Sequence, residues 1–424
     1  MKRFFILALF LISAGSVFAI TLDEAVNLAL KNNISIKREQ ISLDATERAS
    51  SHSWNSLLPS FSVSADEIEL PDLTGGTNTG IQNNLSAEGK IALSISSDFF
   101  ASIKKAKLDY EAKKISFNEA ITEITSQVKE TYFSLILAKQ NLDFLNENLE
   151  NAKAQTLQNE ERYRRGTLSE MEYLSSKLSY EKLKPELKSQ ELAYRKDLKS
   201  LCLLLGFDND EITLEGTLED FIARYAALYD DTKKSELYDA VKNGDVPSIL
   251  NLKKHLEAAQ KDVSAARFSA YGPSVNLSYS VNPVLSGVDS GRTKQSASIE
   301  VSIPLENLLP FSKGADTIKS AQDYVKDLQL QLDEKNKTVN AEFSNIIQSL
   351  AQKQESLASH KDFVNLAQKN YEATKYAYSK GMTEFLSMQN ASKENLEAKL
   401  NLQNENLETL KLYISLEKLC GRIQ

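Results

Sequence analysis

Two short stretches built to one plan constrain this chain more than anything else in it. Residues 162–168 read RYRRGTL and residues 378–385 read YSKGMTEF, and Gly166 and Gly381 stand 215 positions apart. Long helical patterns run into and out of each glycine. A glycine at a helix end supplies the left-handed conformation that lets the chain stop and turn back. One such glycine is equally well a plain loop residue. The offset recurs, however: Ala25 and Ala240 differ by 215, Gly206 and Gly421 by 215, and Pro59 and Pro273 by 214. A fixed offset across whole segments is the signature of an internal duplication. The chain therefore reads as two helical hairpins with tips at Gly166 and Gly381.

The amino terminus carries Lys2 and Arg3, an apolar run over residues 4–14, and Val17-Phe18-Ala19, a small-residue cleavage pattern. This is the layout of a secretory signal, predicted over residues 1–19. The apolar run falls short of the ~20 residues a spanning helix needs. No cysteine follows the cleavage point, so a lipid-anchored amino terminus is not indicated. Removing Lys2 and Arg3 lowers the net charge from −8 by two, to −10. An acidic, exported chain is a poor nucleic-acid binder. Cys202 and Cys420 end helical runs at non-equivalent repeat positions; export permits a disulfide, and core packing is the alternative.

Each half opens with a helix. The segment TLDEAVNLALKNN places Thr21 and Glu24 as a capping box ahead of apolar Leu22, Ala25, Val26, Ala29 and Leu30. Its counterpart is SELYDAVKNGDVP, residues 235–247. After Pro59 and Pro273 the period changes to two. Phe61, Val63 and Ala65 alternate with Ser60, Ser62 and Ser64, and Ile91, Leu93 and Ile95 with Ala92, Ser94 and Ser96; Val275, Leu277, Tyr279 and Val281 alternate with Asn276, Ser278 and Ser280, and Ala297, Ile299, Val301 and Ile303 with Ser298, Glu300 and Ser302. Two β-hairpins follow, predicted at about residues 60–97 and 274–303.

Strands of this length with an apolar face and a serine-rich face suit a membrane barrel, apolar toward lipid and polar toward a lumen. A soluble sandwich with one wet face has the same alternation, but the flanking helices offer no second sheet. Four strands cannot close a barrel, since single-chain barrels begin at eight, and lipid tolerates no open sheet edge. The membrane reading thus demands further copies: two, three or four chains would supply 8, 12 or 16 strands.

A helical stripe over residues 100–163, marked by Ile115, Ile121, Ile124, Val128, Tyr132, Leu135, Leu142, Leu145 and Leu149, spans ~95 Å at ~1.5 Å per residue. Returning helices repeat apolar residues seven apart, at Met171 and Leu178, Tyr194 and Leu201, Leu198 and Leu205, and Leu400 and Leu407, the spacing of left-handed coiled-coil packing. Pro185 is expected to kink or locally break the first returning helix. The predicted plan is mostly α with a small β part, in two tandem repeats of helix, β-hairpin and long helical hairpin. The repeats cover residues 20–206 and 235–424, with helical hairpins at about 100–205 and 313–421. A linker with one short strand joins them over 207–234.

His52, His255 and His360 are scattered, and no phosphate-cradling glycine loop, GxSxG or HExxH is present. The chain is expected not to be an enzyme and to hold no cofactor or metal.

With these features in order, the mature chain resembles the TolC-type outer-membrane efflux protein family. The resemblance rests on the signal, the duplication, LLPSF before the first strand and SIPLENLLPFSKG after the fourth. YRRG and YSKG at the tips and LLLG and KLCG ending the halves complete it. It implies a homotrimer with a 12-stranded barrel in the outer-membrane lipid, continued by a periplasmic α-helical barrel. It also implies an exit duct docked to a periplasmic adaptor and an inner-membrane transporter of the RND or ABC class.

By that resemblance the adaptor would meet Arg162, Tyr163, Arg164, Arg165, Gly166, Tyr378, Lys380 and Gly381, a basic surface suited to an acidic or hydrogen-bonding partner. Each charge is equally a solvated surface group. Relatives narrow this end with acidic residues six and nine positions after the second glycine; here Ser387 and Asn390 stand there. The expectation is a hydrogen-bonded constriction from Glu384, Ser387, Gln389 and Asn390. The chain also reads without the carboxy-terminal extension of some relatives. The competing reading is a structural coiled-coil protein of the cell envelope or a periplasmic adaptor; an adaptor would carry one central hairpin flanked by β-rich domains, not two hairpins.

Overall fold

The computed structural model describes residues 18–68, 84–206, 212–286 and 291–421. Most of the predicted signal, the loop between the first two strands and the start of the predicted linker lie outside them. In chain order the elements are β1 (Phe18–Ile20), α1 (Leu22–Asn32), α2 (Ile34–Ser51), β2 (Ser60–Ile68), β3 (Asn84–Ile95), α3 (Phe99–Arg164) and α4 (Glu170–Leu205). There follow β4 (Ile212–Leu214), α5 (Leu218–Leu228), α6 (Asp231–Asn243), α7 (Pro247–Tyr271), β5 (Ser274–Ser286), β6 (Thr293–Ser302), α8 (Lys313–Ser379) and α9 (Phe385–Cys420). The protein is mostly helical, and no described helix is long and apolar enough to cross a membrane. Local chemistry sets the ends. Thr21 and Glu24 form the expected capping box on α1, and Gly206 and Gly421 close α4 and α9 in the left-handed region, φ 81° and 62°.

The chain divides into two compact units. One comprises Gln40–Phe117 and Pro247–Lys337 and holds a four-stranded antiparallel sheet in the order β2-β3-β5-β6. The register carries the alternation across all four strands. Phe61, Ile91, Tyr279 and Ala297 form one row, and Leu93, Leu277 and Ile299 another on the same face. Ser62, Lys90, Ser280 and Ser296 form a row on the opposite face. Hydroxyls pair there across β5 and β6, at 2.7 Å for Ser274 with Ser302 and 2.8 Å for Ser280 with Ser296. The apolar face is bare: Phe61 is 74% exposed, Val63 87% and Ile299 77%. Among the described strands β2 and β6 each have one neighbour, so both edges of the sheet are open.

The other unit comprises the described parts of Met1–Glu39, Asn118–Val246 and Thr338–Gln424. Here β1 pairs in parallel with β4. The buried Tyr132 hydroxyl binds both strand ends, 2.7 Å from the Ile20 carbonyl and 2.9 Å from that of Glu215, while accepting from the Glu215 N–H at 3.1 Å. Burial pushes this phenol up to about 12, which keeps it a neutral donor. Helix α5 docks on α9. Gln403 and Asn406 donate to Glu219 at 2.7 and 2.9 Å, and Tyr225 stacks on Tyr413 at 5.5 Å. Tyr229 donates to Glu417 at 3.1 Å, and Lys129 completes a buried ion pair with that carboxylate at 2.6 Å. Removing either partner of such a pair leaves an uncompensated buried charge.

Several sequence expectations change. The linker expected over 207–234 holds, in its described part, the short strand β4 and also an 11-residue helix, α5. Thr217 caps α5 through the Asp220 N–H, and Leu218, Phe221 and Tyr225 give it an apolar side that the sequence reading passed over. Pro185 does not break α4, which is continuous through it. The proline lies on an exposed turn, so the carbonyl it leaves unpaired is on the solvent side of the helix. Leu198, Leu201 and Leu205 are buried as coiled-coil spacing requires, but Met171 and Leu178 stand 79% and 71% exposed. That end of the stripe is not covered within one chain. Cys202 and Cys420 are buried and neither forms a disulfide.

Candidate functional site

The two hairpin tips lie in the same unit and share one turn. Gly166 and Gly381 both have φ 74°, and a Cβ at either would meet nothing within 4 Å. Glycine is thus demanded by the left-handed backbone, not by crowding. In each turn the glycine N–H donates to the carbonyl three residues back, Tyr163 or Tyr378, at 2.8 and 3.0 Å.

Chemistry around the turns differs. At the first, Arg164 pairs with Glu160 at 2.5 Å and Arg165 with Glu161 at 3.2 Å, each one helical turn back. Much of the basic surface expected there is internally neutralised. Tyr163 stacks on Tyr173 at 5.5 Å, and Ser169 caps α4 by accepting the Glu172 N–H at 3.2 Å. At the second, Lys380 lies over the Tyr376 ring at 5.5 Å. Tyr378, Phe385 and Met388 make a buried apolar cluster.

The tips also hold each other. Tyr378 donates to the Asn159 carboxamide oxygen at 2.9 Å, and the Arg162 guanidinium sits 5.3 Å above the Tyr378 ring. Burial raises the Tyr378 phenol above its ordinary value, so it remains a donor. Asn159 Nδ2 and Arg162 Nη1 are buried and meet no acceptor among the described residues. On the returning helices Gln389 Nε2 donates to Ser179 Oγ. Of the predicted docking residues, Arg162 and Tyr378 are therefore brought together across the two hairpins, while Tyr163, Arg164, Arg165 and Lys380 remain local.

The predicted constriction residues divide. Gln389 turns toward α4, while Glu384, Ser387 and Asn390 are exposed. Helical geometry separates them: Phe385 and Met388 occupy the buried face, which leaves Ser387 and Asn390 on the outer one. Sequence reading missed Asn159, Ser179 and Met388. Asn159 was within reach, because it continues the three-and-four spacing of Leu142, Leu145 and Leu149 as a polar residue on an apolar stripe. Among the described residues no group of His, Cys, Asp and Glu is placed to hold a metal ion.

Comparison with known proteins agrees with this architecture. The model of the family described as outer membrane efflux protein matches residues 25–207 and 244–422. No curated protein matches the chain in sequence. Among solved structures, CusC, described in terms of folding and transmembrane channel formation, superposes with a TM-score of 0.78 at 14% identity, covering 94% of this chain and 92% of that one. The CmeC outer membrane channel of Campylobacter jejuni gives 0.76 at 17%, covering 95% and 86%. The outer membrane protein VceC of Vibrio cholerae gives 0.75 at 17%, covering 94% and 96%. At such identities these likenesses establish the fold. The family match takes in both halves of the chain, from the first helix to the last: this protein belongs to the outer membrane efflux protein family and resides in the outer membrane.

Proposed function

We propose that this protein is the exit duct of an efflux system. Three copies join their four-stranded sheets into a 12-stranded transmembrane barrel. The paired helical hairpins, tandem repeats of one unit, continue it as an α-helical barrel in the periplasm. A periplasmic adaptor docks on the tips, and an inner-membrane transporter of the RND or ABC class delivers the cargo. Removal of the signal after Ala19 would take Phe18 and Ala19 from β1 and leave Ile20, whose carbonyl meets Tyr132.

The observation that carries this reading is the sheet. One face is apolar and bare across all four strands, the other is lined by serine hydroxyls, and both edges are unpaired. Water would penalise the first face and lipid would penalise the edges, so only closure with further copies inside a bilayer satisfies both. At the second hairpin tip Ser387, Asn390 and Glu384 offer exposed polar groups for a hydrogen-bonded constriction, with Gln389 tying α9 to α4 behind them.

Reconstitution into planar bilayers tests the duct. Discrete, long-lived conductance steps are expected, with at most weak block by divalent cations added at the tip side. Absence of conductance from protein that has inserted would overturn the duct, and strong divalent block would overturn the hydrogen-bonded constriction.

A further inference from the structure

The register that lays the apolar rows on one face of the sheet also sorts the charges on the other. Near the helix end of the polar face Glu300 shares a row with Ser94 and Asn276. Farther from the helices Lys90 shares a row with Ser62, Ser280 and Ser296. Between them lies a row without charge, in which Ser278 stands beside Ser298. The hydroxyls are largely engaged with one another, at 2.7 Å for Ser278 with Ser298 and 2.8 Å for Ser280 with Ser296. In this neutral lining two charges stand alone: Glu300 and Lys90 are exposed, and neither forms an ion pair among the described residues. At the next positions outward the signs oppose, with Glu88 on β3 and Lys294 on β6.

The helix end adds to the negative side. Just past the Ser274 and Ser302 pair lies a cavity of about 420 Å³ that holds the carboxylates of Asp98 and Glu306 among serines and is lined by no lysine or arginine. Three carboxylates therefore gather where the sheet meets the helices. Lys90 is well removed from them. Asn276 and Ser280, the β5 neighbours of Glu300 and Lys90, are four residues apart, about 13 Å at ~3.3 Å per residue. Fields between exposed charges fade over about 10 Å at 0.1 M salt, so each charge governs its own row.

We infer that Glu300 and Lys90 are charge-selecting residues of the barrel lumen. Glu300, with Asp98 and Glu306 behind it, concentrates cationic solutes arriving from the helical end, and Lys90 marks a separate stretch that favours anions. This rests on the duct proposed above, in which the serine-rich face lines water. Three copies repeat each charge three times around one lumen, and rings of fixed charge bias which ions a pore admits. The solutes favoured at entry are cations in passage. A lone carboxylate among hydroxyls attracts charge, and among the described residues no group of His, Cys, Asp and Glu is placed to hold a metal ion.

Reporter cysteines read the local field directly. Asn276→Cys and Ser280→Cys place one beside each charge, and Leu277→Cys places one on the apolar face; the native Cys202 and Cys420 are buried. Full-length protein in phosphatidylcholine vesicles is treated at 0.1 M salt with a cationic or an anionic methanethiosulfonate, and the ratio of the two rates is taken at each reporter. The cation-to-anion ratio is expected to be higher at position 276 than at 280. Glu300→Gln should lower it at 276 by about threefold and leave 280 unchanged, and Lys90→Gln should raise it at 280 by a similar factor. Reporters at 276 and 280 that react with one common ratio, unmoved by either change, would overturn the charge selection and leave the duct standing. If position 277 reacts with both reagents while 276 and 280 react with neither, the serine face does not line water, and the duct reading falls together with the inference.

Discussion

The two hairpin tips have one backbone and two kinds of stability. The first is closed mainly by its own residues: Arg164 and Arg165 pair with glutamates a turn away, and Ser169 caps the returning helix. The second lacks a side-chain cap at Glu384 and depends on what it packs against, through Tyr378, Phe385 and Met388 and the bonds to Asn159 and Ser179. The glycine turn is the same at both tips. The surroundings differ, so that one tip is closed mainly by its own residues and the other is held by contacts with the first hairpin.

This contrast can be broken by substitutions at positions related by the repeat, read as local opening free energies by hydrogen exchange at the tips. The largest effect is expected at Phe385, 6% exposed. Phe385→Ala should cost about 3 kcal/mol of protection across the second tip, the usual scale for emptying a buried aromatic site. Its repeat counterpart is Glu170, exposed, and Glu170→Ala should stay within about 0.5 kcal/mol. Equal losses at both would erase the distinction.

Next in size is the bond between hairpins. Tyr378→Phe removes one buried donor and should cost about 1 kcal/mol, spread over both tips because Asn159 belongs to the first hairpin. Tyr163→Phe, at the stacked and more exposed counterpart, should change protection little. Loss confined to the second tip would show that this hydrogen bond does not couple them.

Capping gives a comparison in both directions. Ser169→Ala should lower protection at the start of α4 by about 1 kcal/mol, and Glu384→Ser should raise it at the start of α9 by up to about that amount. The smallest effect is electrostatic. Glu160→Gln with Glu161→Gln should cost under about 0.5 kcal/mol, fading in high salt, because the arginines they hold are largely exposed. Adaptor pull-down with the same pair sharpens the reading of the tip: releasing Arg164 and Arg165 from their glutamates should strengthen capture of an acidic partner surface.

What could be read from the sequence was whatever repeats or alternates locally. The glycines 215 apart announced both tips, and the period-two serines announced a sheet whose register keeps the same alternation on all four strands. Three things escaped. The β1–β4 pairing and the docking of α5 depend on Tyr132, Glu219 and Glu417 meeting partners far along the chain, and no local pattern encodes that. A break at Pro185 was expected because the spacing alone could not place the proline on an exposed turn, where α4 runs on through it. The tip residues were named by the family resemblance, so Asn159, which joins the two tips, and Met388, which packs beneath the second, went unnoticed. Met171 and Leu178 are the reverse case, an apolar repeat seen in the sequence that is not covered within one chain.

The central claim is that the sheet is completed by other copies in lipid. Its most direct test is the native mass of the detergent-extracted protein, by light scattering corrected for bound detergent. The account predicts a particle of three chains that aggregates when detergent is withdrawn. A monomer stable in plain buffer would contradict it, because the bare apolar face of β2, β3, β5 and β6 would then be an ordinary solvent-facing surface.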